Sequence, residues 1–412
     1  MKRISFFVVF TIFILSLIAC SHNPTKPDEG ILRDLTASEK KLTESDNRFG
    51  LKIFQQINSQ EGNKNIFISP LSISMALGMA YNGAEGNTKE QMRQVLEYDD
   101  LNDREINESY KSLIELLSNL DPKVIFNIAN SIWYRDGFEV EDEFINLNTS
   151  YFDAVVRELN FSDEGAADII NDWVSENTKD KIKEIVEKPI NPLTIMFIIN
   201  AIYFKGTWTY EFDEEYTTDD KFYLSDGSQI TCEMMHQKCD LGYFENDDFQ
   251  VVDLPYGDEQ YSMTVFLPKP GRDIDSLITD ITDENWNRWL SFLSTQEVNL
   301  YLPKFKLEYY KKLNYDLQAL GMTDAFGNAD FTRITKDGEI YISDVKHKSF
   351  IDVNEEGTEA AAVTVIEFRV ESVEDSPTVM RIDRPFLFAI RENSSGTILF
   401  IGKIVEPAYD ND

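Results

Sequence analysis

The run TIMFIINAIYF, from Thr194 to Phe204, is apolar at almost every position. It is short and does not alternate, so it reads as a central strand covered on both faces. A chain built around such a strand needs a layer above it and a layer below it. The one polar side chain inside the run is Asn200. A buried amide costs roughly 1–3 kcal/mol when left without hydrogen bonds, so Asn200 requires partners in the fold.

The remaining pattern says what the layers are made of. In NIFISPLSISMALGMA, Ser69 can cap a helix and Pro70 suits its first turn. Thr88-Lys-Glu-Gln91 has the form of a capping box opening a second helix. AADIINDWVSENT places Ile169, Ile170, Trp173 and Val174 on one helical face. TVFLP and VNLYLPKFKL read as later strands, and RPFLFAIRE with TILFIGKIV as a closing pair. Helices and strands mix without βαβ regularity, and no linker or repeat interrupts them. With 412 residues, 42% of them hydrophobic, the chain is expected to form one α+β domain around a packed core.

The formal charge of −34 argues against nucleic acid or other polyanions as partners. The first 19 residues stand apart. Lys2 and Arg3 precede an apolar run from Phe6 to Ala19 that is short for a bilayer span and reads as a signal peptide. Its end, Leu17-Ile18-Ala19-Cys20, looks like a bacterial lipobox, which implies cleavage before Cys20 and lipidation of that thiol. Residues 20–45 are then expected to be a polar tether carrying Pro24, Pro27 and Gly30, and residues 46–412 the folded domain. Such a protein is anchored in the cell envelope, with the outer membrane as the expected location.

Chemistry is sparse. Only Cys232 and Cys239 remain besides Cys20, so a disulfide framework is absent. His236 lies between them, but the spacing matches no common zinc pattern and a fourth ligand is missing, so neither a metal nor a cofactor is expected. The other histidines are His22, in the tether, and His347. No nucleophile elbow, zincin helix or phosphate loop occurs. The sequence gives no sign of an enzyme.

One C-terminal stretch, EEGTEAAAVTVIEFRVESVEDSP from Glu355 to Pro377, alternates with period two. Thr358, Ala360, Ala362, Thr364, Ile366, Phe368 and Val370 are uncharged, while Glu359, Glu367, Arg369 and Glu371 fall on the other face. This is the pattern of a half-buried strand that begins with little bulk and ends as a loop. The heptapeptide Glu356-Gly357-Thr358-Glu359-Ala360-Ala361-Ala362 resembles the hinge of the serpin reactive-centre loop. The rest of the chain is similar to that family from about Asn65 to Pro407, in collinear order: NIFISPLSIS, NDWV, NAIYFKGTW, MMHQ, LPKFKL, LGMTDAF, ADF, HK, RPFLF and LFIGKIVEP. One departure is Asp180 in TKDKI, where the family usually has glycine, and a local turn change is expected there.

The resemblance implies three β-sheets, about nine α-helices and an exposed reactive-centre loop over about residues 355–381. A target serine protease cleaves the loop, forms an acyl-enzyme and is trapped when the N-terminal part of the loop inserts into the large sheet as a new strand. Cysteine proteases are a second target class. Small uncharged residues must enter first, and Thr358, Ala360 and Ala362 meet that need, while Gly357 supplies the bend. The resemblance assigns Ser69, Ser72, Asn200 and His347 to a polar shutter beneath the sheet, and Trp208 to the place where the hinge enters. Counting from Gly357 puts the scissile bond at Glu371-Ser372, and counting back from Arg384-Pro385-Phe386 points nearer Glu374-Asp375. Slips of one or two residues would offer Phe368, Arg369 or Val370 instead, which suits an inhibitor of several proteases. The expected state is a monomer. The alternative is a non-inhibitory member of the family that acts as a binding protein or chaperone.

Overall fold

In a computed structural model of the chain, which describes residues 33–336, 339–358 and 378–409, the elements follow one another as below. The chain opens with α1 (Ala37–Glu61), β1 (Ile66–Ile68), α2 (Pro70–Tyr81), α3 (Gly86–Val95) and α4 (Asp103–Leu117). Then come β2 (Val124–Arg135), α5 (Asp142–Tyr151), β3 (Val155–Leu159), α6 (Ala166–Asn177) and β4 (Met196–Thr207). A run of strands follows: β5 (Thr218–Tyr223), β6 (Gln229–Glu245), β7 (Phe249–Tyr256) and β8 (Tyr261–Pro268). After α7 (Ile274–Thr279) and α8 (Asp283–Ser291) come β9 (Ser294–Pro303), β10 (Phe305–Lys312) and α9 (Asn314–Ala319). The chain closes with β11 (Lys346–Val353), β12 (Gly357–Thr358), β13 (Thr378–Arg381), β14 (Phe386–Glu392) and β15 (Ile398–Ile404).

The large sheet has the order β10-β11-β12-β4-β2-β3. Its centre is the apolar run singled out above, and the parity of β4 explains why that run does not alternate. Met196, Ile198, Ile202 and Phe204 join the main core on the inner face. Phe197 and Ile199 join a second core on the outer face, with Trp133, Ile170 and Val174. The helix α6 supplies that outer cover, and α2 packs against β4 from below. The other strands follow β1-β15-β14-β8-β7-β6-β9-β13, with β5 also on β6. The 17-residue β6 joins two of the three expected sheets into one continuous ladder.

Three local expectations need correction. The folded domain begins before residue 46: Thr36 and Glu39 form a capping box, α1 starts at Ala37, and Leu42 is fully buried. Thr88 does not open a helix. Instead α3 starts two residues earlier without a side-chain cap, and the Thr88 hydroxyl accepts from the Asp330 N–H at 2.9 Å. On α6, Ile170 and Val174 are buried but Ile169 is exposed. Asp180 takes a left-handed conformation, φ +63°, as glycine would, and its carboxylate accepts from Ser175 Oγ at 2.9 Å.

Candidate functional site: the hinge and its slot

The strand β4 has two edges. On one it pairs with β2 from Met196 opposite Tyr134 to Gly206 opposite Val124. On the other, among the described residues, it meets β12, with Gly357 opposite Thr207 and Thr358 opposite Gly206. The far side of β12 pairs Thr358 with Val353 of β11. Among the described residues, no ladder joins β4 to β11 below Thr358. Ile202, Tyr203 and Phe204 on one bank and Phe350 and Ile351 on the other line a cavity there, which Thr358 also lines.

The hinge is fixed at this point by close contacts. A Cβ on Gly357 would lie 2.1 Å from the Gly206 carbonyl oxygen, and φ is +153°, so only glycine fits. Thr358 is 3% exposed, and its hydroxyl is 2.7 Å from the Tyr256 hydroxyl. The Tyr256 ring stacks on Trp208 at 4.4 Å between centroids. Trp208 Nε1 donates to the Asn354 carbonyl at 3.0 Å, and its backbone N–H donates to the Glu356 carbonyl at 2.9 Å. Glu355 accepts from Thr217 Oγ1 at 2.7 Å and pairs with the half-buried Lys304 ammonium at 3.2 Å. Burial, reinforced by Glu214, raises the Glu356 carboxyl above the usual carboxylate range. The sequence placed Trp208 here; Tyr256, Lys304 and Thr217 it did not. Their signal is spatial, since they come from β7, the turn after β9 and the segment before β5.

Beneath the slot, α2 touches both banks. Ser69 is its N-cap, with Oγ accepting from the Ser72 N–H at 3.2 Å and donating to the Leu399 carbonyl at 2.7 Å. The Ser69 N–H donates to His347 Nε2 on β11 at 3.1 Å. Burial pushes the His347 imidazole down to about 4, so the ring is neutral and its nitrogen is free to accept. On the other bank, Asn200 Nδ2 donates to Asn130 Oδ1 at 2.8 Å and lies 3.7 Å from Met75 Sδ of α2. Asn200 Oδ1 has no partner among the described residues. The four residues expected to form one cluster therefore form two. Among the described residues, β4 and β11 share no ladder, and no hydrogen bond joins Asn200 to His347 or Ser69.

A strap crosses the outer face of the same gap. Thr178, Lys181 and Ile182, just after α6, also line the cavity. Lys181 Nζ sits 4.9 Å from the centre of the Phe350 ring on β11, and Glu187 pairs with Lys346 of β11 at 3.2 Å. Asn171 of α6 holds the far part of the strap through the Ile185 and Val186 N–H groups, both at 2.9 Å. Elsewhere, Cys232 and Cys239 on β6 form no disulfide among the described residues, and burial pushes Cys232 up to about 11. His236 stacks on Tyr301 at 4.4 Å between ring centroids.

Glu359, Ala360, Ala361, Ala362, Phe368, Arg369, Val370, Glu371 and Ser372 lie outside the described residues, as does Cys20. Among the described residues, no helix is long and apolar enough to cross a membrane.

The sequence profile of the serpin (serine protease inhibitor) family matches residues 44–407. Iripin-8 of Ixodes ricinus is 35% identical over 382 residues, covering 90% of this chain and 95% of its own. The native structure of the thermophilic serpin tengpin superposes with a TM-score of 0.82 at 32% identity, over 91% of this chain and 96% of that one. Human thyroxine-binding globulin superposes with a TM-score of 0.83 at 28% identity, over 90% and 100% of the two chains. The chain belongs to the serpin family.

Proposed function

We propose that this protein is an irreversible suicide-substrate inhibitor of serine proteases, which traps the acyl-enzyme by inserting the cleaved segment after Thr358 between β4 and β11. The observation that carries the reading is the placement of β12. Two hinge residues already pair with both banks, and the next described contact below them is a cavity rather than a ladder. Adding a strand to two edges gains backbone hydrogen bonds and buries one face. The uncharged inward set that follows Thr358 in sequence supports the same reading. The scissile bond is proposed at Glu371-Ser372, with Phe368, Arg369 and Val370 as alternative residues before the cut. In this proposal the chain is exported, lipidated at Cys20 and held on the cell envelope of a bacterium.

A panel of serine and cysteine proteases, scored for complexes that survive SDS and boiling, tests the mechanism. Trapping yields a covalent band and a released C-terminal fragment, whose N-terminal sequence reports the bond. Cleavage without a band, and without a rise in thermal stability of the cleaved chain, assigns the protein instead to the binding members of the family. Metabolic labelling with palmitate, in wild type and Cys20→Ser, tests the anchor.

A further inference from the structure

The strand β12 consists of Gly357 and Thr358, and so short a ladder does not hold itself in place. A side chain must add to the backbone pairing if the hinge is to stay in the slot. Thr358 differs from the members of the inward set that follow it. Small size and lack of charge are met by alanine, as at Ala360 and Ala362. A threonine also brings a hydroxyl, which needs a partner once buried. The Thr358 hydroxyl lies 2.7 Å from that of Tyr256, and among the described residues each is the other's partner. Thr358 is buried and Tyr256 is fully so.

Tyr256 is not free to follow the hinge if the hinge moves. Its backbone is bracketed by the end of β4. The Gly257 N–H donates to the Thr207 carbonyl and the Thr209 N–H to the Pro255 carbonyl, both at 2.9 Å. Its ring is confined as well. Trp208 stacks on one face, and the Phe204 ring meets it at a steep angle, 5.1 Å between centroids. Gly206 is so close that a Cβ there would stand 2.9 Å from Tyr256 Cδ1. The same Gly206 is the β4 residue opposite Thr358, so its missing side chain leaves the room through which the ring reaches the hinge. A ring packed on these sides has one place for its hydroxyl.

We propose that Tyr256 is a positioning residue: its hydroxyl latches Thr358 between β4 and β11, so that the segment entering after the cut extends a ladder already begun. Beginning a ladder is the unfavourable step, because residues are ordered before the bonds that stabilise them have formed. A seated Thr358 removes that step from the race between insertion and hydrolysis of the acyl-enzyme. The latch does not oppose entry. Thr358 already pairs with both banks, so the residues behind it can add to the ladder while its bond to Tyr256 stays intact. The seating rests on the fold alone, while its effect on trapping rests on the proposed function.

The test uses the full chain with Tyr256→Phe, Thr358→Val, the two combined, and Thr358→Ser. Each single apolar variant leaves one buried hydroxyl without a partner, whereas the combined variant leaves none. Amide exchange of residues 354–358, followed by mass spectrometry, should quicken by roughly fivefold or more in Tyr256→Phe and in Thr358→Val. It should return toward wild type in the combined variant and stay near wild type in Thr358→Ser, a pattern that loss of packing alone does not produce. In protease assays, the moles of inhibitor consumed per mole of protease trapped should rise by roughly threefold or more in the two single apolar variants and fall back in the combined one. That ratio does not depend on how fast the loop is cut, because both fates begin at the same acyl-enzyme. Where Tyr256→Phe fails to fold, wild type against Thr358→Val carries the same test, since those side chains share a shape and differ by the hydroxyl. Equal exchange in wild type and the single apolar variants overturns the latch. Altered exchange with equal consumption overturns its link to trapping. Absence of trapping by wild type with every protease overturns the proposed function, and amide exchange then still decides the latch.

Discussion

The two edges of β4 belong to one strand and differ in everything that matters for function. The edge facing β2 is zipped along its whole length, and the edge facing β11 is closed by the two residues of β12. Side-chain chemistry does not distinguish them, since the same apolar run serves both. The difference is made by what stands opposite: a continuous partner on one side, and on the other a hinge, a cavity, a cap from below and a strap from above. In the proposed mechanism a permanent edge and a provisional edge share one strand, the provisional one being held from outside the sheet.

The strongest way to break the comparison is to block the provisional edge. Thr358→Arg puts a cation at a position 3% exposed, against the Tyr256 hydroxyl. Leaving that charge unpaired costs roughly 3 kcal/mol or more, about a hundredfold in the partition between trapping and release. The variant should be cleaved and release active protease. An undiminished yield of covalent complex would sink insertion as the mechanism.

A second variant tests the tie from below. The His347 ring is held down at about 4, and a free histidine titrates near 6.5. The unfolded chain therefore binds the proton first. The contribution of neutral His347 is complete above about pH 6.5 and is lost as pH falls toward about 4, worth about 3 kcal/mol in all. His347→Asn has no such window. Urea midpoints of wild type and variant should converge as pH drops from about 7 to about 4, and a constant gap would show that the ring does not titrate in the fold.

The smallest effect is expected from the strap. Lys181→Ala removes the ammonium over Phe350 and should cost about 0.5–1 kcal/mol of stability. Loosening the strap should also quicken uptake of a synthetic peptide spanning residues 358–370, read by circular dichroism or native gels. Slower uptake would mean that the strap guides the strand rather than restrains it.

What could be read from the residues, and what could not, divides along the same line. The apolar β4 run, the Ser69 cap and the strands from TVFLP onward depend on local pattern, and they stand where that pattern puts them. Trp208 and the first hinge residues, identified by resemblance, meet at one end of the slot. The partnership of Asn200 was not legible. Its partner, Asn130, stands directly opposite on β2, and local pattern does not say which strands lie side by side. The start of α1 was missed because its first turns are polar in composition, yet Thr36, Glu39 and Arg33 satisfy one another, with an Arg33–Glu39 ion pair at 2.6 Å. Thr88 misled because a Thr-x-x-Gln spacing fits a cap and an interior turn equally well. The tie from Tyr256 to Thr358 spans 102 positions and leaves no trace in either neighbourhood.

The provisional edge of β4 also has a consequence for discrimination. What it offers is backbone N–H and C=O groups, which recognise any extended chain whose inward side chains are small. Nothing in such an edge identifies whose chain it is. In the proposed mechanism, the segment that follows Thr358 in sequence has its advantage by being attached, because tethering gives it a local concentration of the order of millimolar that a dissolved peptide seldom reaches. Fidelity at this site is then a matter of connectivity rather than of fit, and it should decline once competing strands approach that concentration.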